Sequence, residues 1–190
     1  MKLIFCNRGV ALTELALILP ILVLIIIGTV ETGRYAVAHI KLDRTAATLT
    51  DLLSQQQQAT APALNQISIA AEHIMKPFDF RNGTIIFSSV YTSNGEPIEA
   101  CSETTVNCIV WQYRSQGNGS SQLGEQGTIT YLPGGYNVPI GQSVVVVEVM
   151  LEYQPMLRMT GEIISALRPQ TLYKYAIFKP RLGNLLNPPR

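Results

Sequence analysis

Residues 8–30 read Arg8-Gly9-Val10-Ala11-Leu12-Thr13-Glu14 and then LALILPILVLIIIGTV, and between Gly9 and Glu31 the one charged side chain is Glu14. A carboxylate near the bilayer centre costs ~2.5–3.5 kcal/mol or more, so apolar segments bound for lipid normally avoid one. As helix, Val10–Val30 measures ~31 Å, about the hydrocarbon thickness of a bilayer, whereas Leu15–Val30 alone reaches only ~24 Å. Spanning therefore sets Glu14 at or near one interface. Basic residues alone give no strong bias, with Lys2 and Arg8 before the run and Arg34, Lys41 and Arg44 after it, but the immediate flank, Arg8 before and Glu31 after, favours a cytoplasmic N-terminus.

Other fates for this segment stay open at this point. A secretory signal has an apolar core of about 7–15 residues, shorter than this one. Ala36-Val37-Ala38 has the small-residue pattern of a signal-peptidase site, but Glu31 and Arg34 separate it from the apolar core. A plain uncleaved anchor accounts for everything except Gly9 and Glu14.

Beyond Val30 the helical pattern continues. Tyr35, Ala38, Leu42, Ala46, Leu49 and Leu53 recur at three- and four-residue spacing, and no proline intervenes before Pro62. The spacing predicts one helix from about Ala11 to Gln57, ~70 Å long, followed by a linker through Pro62. A second helix is expected over 63–75, with Leu64, Ile67, Ala71 and Ile74 inward and Pro77 closing it. The remainder reads as strands at Thr84–Thr92, Cys108–Arg114, Thr128–Leu132, Ser143–Tyr153 and Thr171–Lys179. In Ser143–Tyr153 the odd positions from Val145 to Tyr153 form an apolar face, and Glu148 and Glu152 lie on the other. The fold class is α+β: a pilin-like long N-terminal helix, half transmembrane and half amphipathic, packed on a small antiparallel sheet. The divisions expected are 1–9 a leader, 10–30 the span, 31–58 the amphipathic continuation and 59–190 an extracytoplasmic α+β domain.

Cys101 and Cys108 enclose the polar stretch Ser102–Asn107, and behind a membrane segment they read as a disulfide formed outside the cytoplasm, with free thiols the alternative. The two histidines, His39 and His73, lack metal-ligand spacing to the cysteines, so no metal and no cofactor is expected. A net charge of +1 with dispersed Lys and Arg gives no case for nucleic acid. No phosphate loop follows a strand, and no nucleophile signature is present, so an enzyme is not expected. Trp111 and Tyr113 could make an exposed patch, but core is the better expectation.

Several blocks together resemble the TadE/TadF-like minor pseudopilins of the Tad (Flp) type IV pilus system. They are Arg8-Gly9 with Glu14, Leu19-Pro20 inside the span and Glu31-Thr32-Gly33-Arg34 at its exit. Farther on come VVVEVMLEYQP over 145–155 and Lys179-Pro180-Arg181. The resemblance implies that a prepilin peptidase cuts after Gly9, making Val10 the new N-terminus and Glu14 the fifth mature residue. It also implies other pilins and minor pseudopilins, an inner-membrane assembly platform and membrane lipid as partners, and a role in pilus assembly, adhesion and biofilm formation. Leu15 stands where major Flp pilins have tyrosine, and those chains are very short; this 190-residue chain resembles a minor subunit instead.

The chemistry of these residues is coherent. Glycine permits the extended, unhindered backbone that a protease needs at the scissile bond. Cleavage would free an ammonium on Val10, one helical turn from Glu14, so the carboxylate can pair with its own amine or a neighbour's. In a low-dielectric bundle such a pair acts as a register device, because either charge left alone is strongly unfavourable. Pro20 removes a helical hydrogen bond and crowds the carbonyl of Ala16, which reads as a helix break that helps the subunit leave the bilayer during assembly or, equally, as a tolerated kink in an ordinary anchor.

Overall fold

The computed structural model describes residues 8–95, 105–156 and 168–190, the first three by backbone alone. In chain order the elements are α1 (Arg8–Ser54), α2 (Ala61–Met75), β1 (Thr84–Thr92), β2 (Asn107–Gln116), β3 (Ser143–Tyr153) and β4 (Gln170–Phe178). The fold is α+β, with a four-stranded antiparallel sheet in the order β2-β1-β3-β4. The chain divides into two compact units, Met1–Val37 with Gln154–Pro169, and Ala38–Tyr153 with Gln170–Arg190. α1 contributes Arg8–Val37 to the first unit and Ala38–Ser54 to the second.

In the larger unit, Ala38, Leu42, Ala46, Leu49 and Leu53 are fully buried, as their spacing predicts. Thr50 donates to the carbonyl of Ala176 on β4, and Lys174 of β4 reaches Asp43 at 3.9 Å. α1 ends at Ser54, three residues before the expected Gln57. There the Ser54 carbonyl accepts from the Arg181 amide and the Arg181 guanidinium pairs with Asp51, so the C-terminal strap supplies the cap. α2 starts two residues earlier than expected. Thr60 caps it through the Ala63 amide, and Pro62 belongs to its first turn, where a missing N–H costs nothing. Its inward stripe is Leu64, Ile67, Ser68, Ala71 and Met75; Ile74 is only half-buried.

Pairing of Ile85 with Val149, Phe87 with Val147 and Ser89 with Val145 puts these residues on one face of the sheet. Trp111 lies beside Ser89 on that face, fully buried, and donates its indole N–H to the Leu185 carbonyl at 2.8 Å. The core reading of Trp111 therefore holds, while Tyr113 is half-buried and donates to Asn65.

The opposite face of the sheet is also covered. Val90, Ile109, Val144 and Val146 pack with Leu123, Leu132 and Val138 from the connection between β2 and β3, and Tyr175 and Ile177 lean on them. The Thr128–Leu132 strand expected from sequence is therefore corrected. That stretch makes one isolated bridge, Ile129 to Cys108, held by Ile109 N–H to Thr128 O and Thr130 N–H to Asn107 O. It then turns away through Pro133-Gly134-Gly135, where Gly134 (φ 76) and Gly135 (φ 71) adopt a left-handed backbone that side-chain-bearing residues disfavour.

Candidate functional site: the exposed apolar helix and its polar exit

From Ala11 to Val30 no side chain of α1 is buried, and Leu12, Leu17 and Ile25 are 68%, 75% and 64% exposed. So much contiguous apolar surface is not stable in water and needs lipid or partner helices around it. By length and composition the helix can cross a membrane. Its few polar groups are handled locally: Thr29 donates to the Ile25 carbonyl at 2.8 Å and Thr32 to that of Gly28 at 2.7 Å. Such back-bonding to the preceding turn satisfies a hydroxyl without water.

Gly9 and Val10 lie in the first turn of α1. Glu14 follows one turn later with its carboxylate exposed on the helix surface. α1 runs through Pro20 as unbroken helix, so the structure places this residue inside the apolar half and not at a boundary of secondary structure. Cys108, second residue of β2, is 2% exposed; Cys101 lies outside the described residues. Among the described residues no three His, Cys, Asp or Glu side chains gather as metal ligands do.

Two carboxylates have settings that sequence reasoning missed. Glu31, directly after the apolar run, is 2% exposed, and both its oxygens accept from the Met156 amide at 3.2 Å. Glu148 is fully buried on β3, although alternation had set it on an outward face with Glu152, which is indeed exposed. It accepts hydrogen bonds from the Ser121 hydroxyl, the Gln122 amide (2.8 Å) and the Tyr173 hydroxyl (2.9 Å). Donors from a loop and from a neighbouring strand thus converge on one carboxylate. The available signal was the run Val144–Val147, apolar at both parities, which marks a strand covered on both faces.

Burial, the charge of Glu148 and the hydrogen bond to it together hold the Tyr173 phenol well above the usual tyrosine range. An unfolded tyrosine ionises near pH ~10 while native Tyr173 stays neutral, so its contribution is complete below that pH and is lost as the pH rises further. Tyr173→Phe is expected to flatten the fall in stability between about pH 9 and about pH 11. Urea midpoints of the two proteins across that range check it; parallel slopes count against the coupling.

An apolar helix of membrane-crossing length at the N-terminus, followed by a small α+β unit, fits the class of membrane-anchored proteins with one N-terminal helix. Residues 9–49 match the family model described as TadE-like protein, beginning on Gly9 and ending inside α1. The matched stretch is less than a quarter of the chain, so it is a likeness to TadE-like proteins confined to α1, starting at the residue just before its apolar run. No curated protein and no solved structure matches the chain.

Proposed function

We propose that the chain is a minor pseudopilin, inserted with its N-terminus in the cytoplasm, cut after Gly9, and needed to assemble a Tad (Flp) type IVb pilus used in adhesion and biofilm formation. The observation that carries this reading is the exposed apolar helix that follows Gly9 with Glu14 as its one charge, inside the TadE-like stretch. Cleavage creates the Val10 ammonium, and Glu14 pairs with it or with that of a neighbouring subunit, setting register in a bundle where an unpaired charge is penalised. Pro20, lacking an amide donor, is the point at which the helix yields when the subunit leaves the bilayer. The partners are a prepilin peptidase, other pilins and minor pseudopilins, the inner-membrane assembly platform and lipid. The chain acts by assembly and has no enzymatic activity of its own. Cys101 pairs with Cys108 outside the cytoplasm, closing the loop that leads into β2.

N-terminal sequencing of the protein made with and without a prepilin peptidase tests the reading. Val10 is the expected first residue with the peptidase and Met1 without it; Met1 in both sinks the proposal. Glu14→Ala is expected to insert normally but to lower piliation by about tenfold or more, since even ~1.4 kcal/mol of lost pairing is a factor of ten. Pilus counts at wild-type level in that strain would remove the register role.

A second reading is an uncleaved single-pass protein whose outer unit binds a partner in a secretion or envelope complex. It draws on Tyr131 and Ile140, 90% and 61% exposed around a groove lined by Thr92, Asn107 and Val138. Met1 as the permanent N-terminus is its signature.

A further inference from the structure

A carboxylate at the end of a membrane helix ordinarily extends toward water and headgroups. Glu31 does not: it is 2% exposed, and its two oxygens share the backbone N–H of Met156, each at 3.2 Å. Because Glu31 directly follows Val30, and helix rise is ~1.5 Å per residue, the Met156 backbone lies within about one turn of the end of the apolar run. The Met156 side chain is 68% exposed, and its neighbours Gln154 and Pro155 carry no charge. An uncharged, flexible thioether at that depth suits the layer where acyl chains meet headgroups.

We propose that residues 154–156, where the chain leaves β3, make a second membrane contact, with Met156 inserted at the lipid surface and Glu31 as the residue that positions it. This rests on α1 being the span. The occupant is lipid and not a neighbouring subunit, because the end of the apolar run fixes the depth of the contact before any assembly takes place. Glu31 then has a role apart from charge pairing: it ties a distant stretch of chain to the point where the helix leaves the bilayer.

The test uses the full-length chain in phosphatidylethanolamine–phosphatidylglycerol vesicles whose acyl chains carry bromine at shallow or at deep positions. Trp111, the one native tryptophan, is fully buried and supplies the baseline in the wild-type chain. Met156→Trp is expected to add emission at shorter wavelength, quenched more by shallow than by deep bromine. Leu22→Trp, at mid-span, is expected to show the reverse order of quenching. If Leu22→Trp is quenched and Met156→Trp stays at baseline, the span stands and the second contact is overturned. If neither is quenched, the span fails and the contact with it. Adding Glu31→Ala to Met156→Trp is expected to abolish the shallow quenching while Leu22→Trp with Glu31→Ala keeps its deep quenching. Undiminished shallow quenching in the former would overturn the positioning role.

Discussion

Gly9→Leu is expected to leave the chain at full length when it is coexpressed with a prepilin peptidase, a loss of processing close to complete. A leucine side chain in the first turn of α1 favours helix and crowds the backbone at the bond to be cut, where glycine leaves both conformation and access open. The consequence reaches beyond the leader. Without the cut there is no ammonium on Val10, and Glu14 keeps its exposed carboxylate with no partner at the head of the apolar run. The unprocessed protein should therefore sit in the membrane and fail to support piliation, doubling the effect of Glu14→Ala through a different atom of the same pair. Immunoblot mobility and the mass of the purified chain read the result. Normal cutting of the leucine variant would show that glycine is not what the peptidase requires here.

Glu148→Ala is expected to have the largest effect on the stability of the larger unit, about 3–4 kcal/mol. The carboxylate is fully buried and takes donors from Ser121, the Gln122 backbone and Tyr173. Alanine removes the acceptor from three part-buried donors, each worth up to ~1–3 kcal/mol when left unsatisfied. It also opens a cavity beside Met150 and Val146, its neighbours on the same face of β3. Against a domain stability of about 5–15 kcal/mol this is a large share. Urea unfolding followed by the fluorescence of Trp111, buried in the same unit, measures it. Glu148→Gln, which keeps the shape and one acceptor oxygen, is expected to cost about half as much. A loss under about 1 kcal/mol for the alanine variant would mean that the loop is held by its apolar contacts alone.

The two predictions concern opposite kinds of carboxylate. Glu14 is exposed on the apolar helix, and in the proposed function its chemistry is completed by assembly. Glu148 is completed within its own fold, by a loop that crosses the back of the sheet. Glu31 lies between these cases, on the membrane helix but satisfied by the backbone of the chain's own later segment.

Much of the architecture was legible because it depends on local periodicity. The apolar run, the three- and four-residue spacing from Ala38 to Leu53, and the strands Thr84–Thr92 and Ser143–Tyr153 follow from side-chain patterns that repeat within a few residues. Gly9, Val10, Glu14 and Pro20 drew attention for the same reason, since a charge, a glycine or a proline next to an apolar run stands out by its position alone, and their roles rest on the proposed function. The end of α1 was not, because Ser54 is capped by Arg181, more than a hundred residues away. Nor was the second core, because Leu123, Leu132 and Val138 sit in a glycine- and proline-punctuated connection with no period of its own.

By itself the sequence determined a helix long and apolar enough to cross a membrane, with a single acid near its head and a mixed α+β unit behind it, since length, apolarity and alternation are properties of consecutive residues. Only the tertiary structure decided that the sheet is buried on both faces, that Glu148 is an internal anchor, and that Glu31 holds the Met156 amide. Each of these depends on which distant backbone donor or apolar side chain arrives over a given residue, and burial of a charge is settled by that arrival and not by the residue's place in a strand.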